Sequence, residues 1–427
     1  MKFQCYTLGC KVNQYETQAM EQMLRAMGHE QGQEDCDVYI INTCTVTAIA
    51  DRKNRTLIHR LRREHPDAVI GVCGCYAQLG PEKVRTMGVD VIGGSSGREE
   101  FVQLLLQTAR DRGEQRVRVD EALKRRTFEK LPAGGLSQRT RAMLKVQDGC
   151  NNFCSYCIIP YARGPVRSLP LKEAVEQAVA LAREGYQEIV VTGIEIASWG
   201  WDFKDGSRFV DLAEALCEAV PNVRVRLGSL EPRIVDGEFC RRLSKYPNFC
   251  PQFHLSLQSG SDGVLKRMRR KYDSARYYES VELLRGYFPA CAITTDLIVG
   301  FPGETEEELR ESLEFCRKCA FAAMHIFPYS RRGGTPADKM EGQIEKGEKA
   351  RRAALAGEVA KELQKIYNTA LLGKEQQVLF EQTEGAFFTG HAENGVKVYA
   401  KGESLHNVTK AVLVTSLKED GVEGELL

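Results

Sequence analysis

Short apolar runs at 3–8, 38–42, 68–72 and 89–92 alternate with segments of helical periodicity, the clearest at 15–27. That alternation predicts a parallel sheet flanked by helices, a doubly wound α/β domain over residues 1–112. The middle of the chain repeats the rhythm six times. Strands are expected at 143–147, 188–193, 223–228, 252–258, 292–299 and 324–329, with intervening segments such as 171–184 and 306–319 periodic as helices. Six such units over 136–368 predict an open, partial (β/α)6 barrel, with functional residues after the C-terminal ends of its strands. From 371 to 427 the pattern changes to short strands broken by glycines, including 376–381, 395–399 and 411–416, which predicts a small all-β barrel.

A length of 427 residues agrees with two or three domains. The 15 cysteines form an odd set without a disulfide-type framework, which points to a reducing compartment, the cytoplasm, and to metal-ligating thiols. The first residues lack the apolar core and cleavage site of a secretory signal, and no apolar run approaches the roughly 18 residues of a membrane span.

A net charge of +1 conceals an asymmetry. Residues 110–145 hold eleven Lys/Arg against five Asp/Glu, and within them 113–135 reads as a basic linker. Residues 51–63 hold six basic side chains against one acid, and 266–271 hold five. A phosphate-binding surface is expected from these segments, with Arg125, Arg126, Arg269 and Arg270 as candidate RNA contacts. Residues 371–427 carry five Lys and no Arg against nine acids, so that domain is not expected to grip RNA by charge; Phe387, Phe388, His391 and Tyr399 offer rings for base stacking, with core packing as their alternative fate.

The densest chemistry lies at Gly149-Cys-Asn-Asn-Phe-Cys-Ser-Tyr-Cys157, where Cys150, Cys154 and Cys157 follow a C-x3-C-x2-C spacing just after the first expected barrel strand. A 4Fe-4S cluster normally takes four cysteines, so three in one loop leave an iron for a substrate or cofactor. The competing reading, a zinc knuckle, wants four ligands, usually as two separated pairs. Cys10, Cys44 and Cys75 each follow an expected strand of the first domain, and neighbouring strand ends in a doubly wound sheet bring distant residues to one crevice. They are read as a second cluster site, against the alternative of buried apolar cysteines. Cys73 alternates to the opposite side of its strand and is not expected to be a ligand.

The three-cysteine loop, with Tyr156 before its last cysteine, closely resembles the signature of the radical S-adenosylmethionine enzymes. Together with the Cys10, Cys44 and Cys75 words and the terminal barrel, it resembles the methylthiotransferase family across essentially the whole chain. Within that family, Thr7-Leu-Gly-Cys-Lys-Val-Asn-Gln-Tyr-Glu-Thr17 and Cys44-Thr-Val-Thr47 are similar to the branch that acts on threonylcarbamoyladenosine in tRNA. The branches acting on dimethylallyl-adenosine in tRNA and on a ribosomal-protein aspartate usually differ in those words.

The resemblance implies two 4Fe-4S clusters, S-adenosylmethionine and tRNA as partners. One cluster, on Cys150, Cys154 and Cys157, would cleave S-adenosylmethionine to a deoxyadenosyl radical. The other, on Cys10, Cys44 and Cys75, would hold the sulfur that is methylated and transferred to carbon 2 of adenine. An electron donor such as a flavodoxin or ferredoxin is implied, and the sulfur source stays open. The resemblance also assigns Thr192, Gly193, Ser229, Glu231, Gln258, Gly300, Pro302, Gly303 and Glu304 to the cofactor rim. Glu195 departs from the family, which commonly has a small or amide residue after Thr-Gly-Ile, and its role stays open. A non-catalytic, metal-stabilised RNA-binding protein is the alternative from another class.

Overall fold

The computed structural model describes residues 1–135 and 140–427; the expected boundary at 136 lies outside the described residues. Six parallel strands form the first sheet, in the order Glu30–Gln31, Lys2–Thr7, Val38–Thr43, Val69–Gly74, Val91–Gly93 and Arg116–Arg118. Val38–Thr43 and Val69–Gly74 are buried on both faces, which is why they read as continuous apolar runs. Met20, Leu24, Phe101 and Leu105 from helices Lys11–Ala26 and Arg98–Arg110 cover one face, and Ile58 and Leu61 from Ala48–Glu64 cover the other. The doubly wound expectation holds. The basic stretch expected as linker supplies the edge strand Arg116–Arg118: Val117 packs on the core, while Arg116 and Arg118 turn out to Gln107 and Glu100.

The central domain is the expected partial barrel. Its parallel strands Arg141–Lys145, Glu188–Thr192 and Arg224–Leu227 form one sheet, and Ser229–Leu230, Gln252–Leu255, Ala292–Val299 and Ala323–Pro328 form the next, with Gly228 breaking the third strand between them. Alternate residues such as Leu144, Ile189, Val225, Phe253 and Leu297 join the core under the helices. The others, including Met143, Glu188, Arg226, His254 and Asp296, face the lumen. This lumen is polar, unlike the apolar packed interior of a full barrel.

The terminal domain closes five strands into a barrel around Val378, Phe380, Val398, Val412 and Val422. It seats on the N-terminal ends of the central strands. Arg141 pairs with Glu381 at 2.8 Å, Arg224 donates to the Gln377 carbonyl at 2.8 Å, and Arg226 donates to the carbonyls of Ala392 and Glu393 at 3.1 and 2.9 Å. Its acidic composition thus meets arginines of its own chain. Phe388 packs against the small barrel's core, Phe387 and Tyr399 meet edge to face, and His391 pairs with Glu381. Among the described residues, no helix is long and apolar enough to cross a membrane.

Candidate active site at two facing cysteine triads

Cys10, Cys44 and Cys75 follow three adjacent strands, in which Asn42 lies opposite both Thr7 and Cys73. Gly9 has φ +113°, and a Cβ there would stand 2.6 Å from the Cys44 Cβ, so only glycine lets the Cys10 turn close on Cys44. The three thiols sense one another. Burial first, then Cys75 and Cys10, pushes Cys44 up to about 11. Cys73 packs with Phe3 and Met20 in the core on one face of the sheet.

The second triad begins at Gly149, whose φ of +75° and approach to the Pro165 carbonyl leave no room for a side chain. The loop is pinned by backbone bonds from Cys150 to Gly164 and from Ser155 to Met268, both 3.0 Å, and from Ala337 to Ser155 at 2.8 Å. Tyr156 packs on the apolar group of Val264, Met268, Phe301 and Tyr329. Burial pushes Cys150 and Cys157 up to about 12, so these thiols are neutral until a metal displaces their protons.

The triads face each other. Cys75 lies close enough to Cys157 to oppose its ionisation, and Arg163 bridges the two domains by donating to the Cys75 sulfur at 3.2 Å and to Asn13 at 2.7 Å. Arg163 belongs to a buried ion network. Glu16 holds Arg98 at 2.6 Å, Lys145 at 3.0 Å and Arg163, while Asp148 holds Lys145 at 2.7 Å, Arg163 at 3.4 Å and Arg167 at 3.6 Å. Burial opposes the ionisation of Glu16, yet Arg163, Arg98 and Lys145 outweigh it and hold its carboxyl well below the usual range. Arg98, Lys145, Arg163 and Arg167 outnumber the two buried carboxylates, with Glu129 acting on Arg98 and Arg167 from the margin, and Arg163 brings this positive balance to Cys75.

That surplus suits an anionic group ligated by three thiolates. Among the described residues, His254, Asp296 and His325 on the lumen wall bring their ligand atoms to within 4.8 Å of one another.

Beside the loop triad, a cavity of ≈ 260 Å³ is lined by Asn152, Glu195, Ser198, Trp201, Glu231 and Arg233. Gln147 positions its wall, accepting from the Glu195 amide at 2.8 Å and donating to the Gly149 carbonyl at 2.7 Å. Two buried polar atoms here lack a partner, Glu195 Oε1 and Arg270 Nη2, and Arg270 also donates to the Cys154 sulfur at 3.3 Å. An unpaired acceptor and an unpaired donor at one cluster site fit the ammonium and carboxylate of an amino-acid cofactor. Burial first, then Glu231, pushes Glu195 up to about 7 against the pull of Arg270.

Glu195 carries a prediction for the metal-free protein. A carboxyl whose pKa is raised on folding costs stability progressively as pH rises from its unfolded value of about 4.5 to about 7. Glu195→Gln is expected to remove that loss, gaining up to about 3 kcal/mol on the wild type between pH 5 and pH 8 at 1.36 kcal/mol per unit. Urea denaturation at the two pH values checks it, and equal pH dependence in both proteins would sink the assignment.

The sequence-derived rim divides in two. Glu231 lines the cavity. Thr192, Gly193, Ser229 and Gln258 stand at or beyond neighbouring strand ends, with Gln258 at φ +68°. In the Gly300, Pro302, Gly303 and Glu304 turn, Glu304 accepts from the Gly300 amide and from Arg352, both 2.7 Å, so its carboxylate braces the turn instead of facing a ligand.

The RNA candidates need correction. Arg125 is buried at the end of the 3-10 turn Ala122–Lys124, pairing with Asp120 and donating to Ser95 and Gln78 at 2.8 and 2.7 Å. Arg270 faces Cys154 and stacks over Tyr272. Arg126 and Arg269 are exposed, as are Arg52, Lys53, Arg55, Arg60 and Arg63 on helix Ala48–Glu64. Arg163, Asn13 and Glu16 carried no assignment from the sequence. The one signal was a basic residue six positions after the cluster loop.

A partial parallel barrel with a three-cysteine loop after its first strand defines a radical S-adenosylmethionine enzyme. Residues 144–316 match the radical SAM superfamily, and residues 2–94 match the uncharacterized protein family UPF0004. The chain belongs to the methylthiotransferase family of that superfamily. It is 41% identical to the threonylcarbamoyladenosine tRNA methylthiotransferase MtaB of Bacillus subtilis, over 97% of this chain and 93% of that one. It is 35% identical to the tRNA-2-methylthio-N(6)-dimethylallyladenosine synthase of Acidothermus cellulolyticus, over 90% and 78%. Among solved structures, the radical S-adenosylmethionine methyltransferase TsrM from Kitasatospora setae, with cobalamin and a [4Fe-4S] cluster bound, shares the fold. Its TM-score is 0.59 at 16% identity, over 79% of this chain and 77% of that one.

Proposed function

We propose that this enzyme places a methylthio group on carbon 2 of N6-threonylcarbamoyladenosine beside the tRNA anticodon. The observation that supports it most is the pair of cysteine triads facing each other across one gap, joined by Arg163. Cys150, Cys154 and Cys157 would hold one 4Fe-4S cluster, with S-adenosylmethionine in the cavity of Glu195 and Glu231; Cys10, Cys44 and Cys75 would hold a second. When bound, these groups supply radical activation of a C–H bond and the sulfur and methyl to be transferred.

The chain's own residues do the positioning. Gln147 fixes Glu195 against the loop, and Arg163 holds Cys75 toward the barrel. Arg270 offers a donor beside Cys154. The units 1–112, 136–368 and 371–427 divide the work: the first carries the sulfur site, the second the cofactor, and the third closes the lumen. The exposed arginines of Ala48–Glu64, with Arg126 and Arg269, are the contacts we assign to tRNA phosphates. The setting is cytoplasmic, with a flavodoxin or ferredoxin as electron donor.

The similarity to a dimethylallyladenosine synthase favours, as a second reading, an isopentenyl-type adenosine at the same tRNA position. Nucleoside mass spectrometry of tRNA from cells lacking the protein, with and without the gene restored, decides between them. Return of methylthio-threonylcarbamoyladenosine is expected. Return of a methylthio-isopentenyl nucleoside would establish the second reading, and no change in any tRNA nucleoside would move the substrate to a ribosomal-protein aspartate.

A further inference from the structure

A second cavity of ≈ 450 Å³ opens where all three domains meet, at the end of the lumen that the terminal barrel closes. Lys11, Gln14, Arg141, Met143, Arg226 and Glu381 contribute to its walls. The charges are unequally satisfied. Arg141 is paired with Glu381, and Arg226 with Glu188 at 2.7 Å. Lys11 has no carboxylate within salt-bridge distance among the described residues, and Glu188, which acts on it through space, is already taken by Arg226. Lys11 is reachable from solvent and shares the cavity wall with Arg141 and Arg226. A cation held among cations around an open cavity calls for an anion.

Its location says which anion. Lys11 directly follows Cys10, a ligand of the sulfur site, at the start of helix Lys11–Ala26. An adenine that presents carbon 2 to the cysteine triads carries its N6 substituent away from them, because carbon 2 and carbon 6 flank N1 and their exocyclic bonds diverge. We infer that this cavity receives the N6 substituent of the substrate base and that Lys11 selects a substituent ending in a carboxylate. The inference rests on the tRNA adenosine reading above, and it deepens that reading by naming the group that separates an anionic arm from an apolar one. Arg141, paired with Glu381, stands on the same wall, and the terminal barrel contributes Glu381 and Gln382 as the floor.

The test uses holoenzyme and three anticodon stem-loop RNAs: one with the threonylcarbamoyl carboxylate, one with its methyl ester, and one with plain adenosine. Fluorescence anisotropy is expected to show wild type binding the carboxylate RNA about 10- to 100-fold more tightly than the ester, the range of a charge-assisted hydrogen bond. Lys11→Met is expected to erase that preference and raise KM with a smaller change in kcat, while Lys11→Arg keeps most of it. A Lys11→Met protein that still prefers the carboxylate, or a wild type with no preference, would overturn the inference. The function reading fails separately: a wild type that binds the carboxylate RNA preferentially but yields no methylthio nucleoside by mass spectrometry leaves Lys11 standing and removes the proposed reaction.

Discussion

Replacing Glu16 by alanine is expected to destabilise the folded chain by at least about 3–5 kcal/mol, the cost of leaving a buried charge without its partner. The carboxylate is fully buried and holds three cations, so its removal leaves Arg98, Lys145 and Arg163 with Asp148 as the remaining buried counter-charge in the network. Domains hold only about 5–15 kcal/mol in reserve. Glu16 lies in the first domain, and Lys145 and Arg163 lie in the barrel, so the loss falls on their docking. Glu16→Gln keeps the shape and part of the hydrogen bonding, and its cost should be smaller. The pH dependence carries a sign. A carboxyl held below its ordinary range stabilises the fold fully above that range, and the benefit is lost progressively as pH falls from there through the depressed value of the folded state. Wild type and variant should therefore converge in acid. Chemical denaturation of the metal-free proteins at neutral pH measures the difference, and a value within about 1 kcal/mol would show that the network does not hold the domains together.

What the sequence disclosed and what it withheld separate along one physical line. Features written in local spacing were legible: the C-x3-C-x2-C loop, the strand rhythm of the barrel, and cysteines placed after successive strands of a parallel sheet. Cys73 was separable from Cys75 because strand alternation is also local. Partnerships across the fold were not legible. Glu16 and Arg163 meet over a separation of 147 residues, and nothing in either neighbourhood names the other. Arg125 and Arg270 illustrate the opposite error. Counting charges along a segment cannot distinguish an arginine that faces solvent from one that turns inward to Asp120 or to Cys154. The acidic terminal barrel was hard to place for the same reason, since the arginines it complements belong to the central strands. Arg116–Arg118 was missed as a strand because a single apolar residue between two arginines leaves almost no pattern to read.

Protein purified without oxygen is expected to be brown and to hold about eight irons per chain, given four per cubane. Changing Cys150, Cys154 and Cys157 to alanine should leave about four, and changing Cys10, Cys44 and Cys75 should also leave about four. Both variants should lose methylthio transfer by several orders of magnitude, since each triad supplies a different part of the reaction. Spectroscopy separates the two sites. S-adenosylmethionine should perturb the paramagnetic signal of the cluster retained by the Cys10, Cys44 and Cys75 variant, because the cavity of Glu195 and Glu231 adjoins the loop triad. It should leave the other variant's signal nearly unchanged. Stability need not fall in step, because the strand ends and the loop are held by backbone bonds and by Gly9 and Gly149, not by the thiols. A wild type with about four irons, unaffected by loss of Cys10, Cys44 and Cys75, would remove the second cluster and with it the sulfur site. A colourless protein containing zinc would return the chain to the scaffold reading, in which the surplus positive charge beside Cys75 would have no anion to answer it.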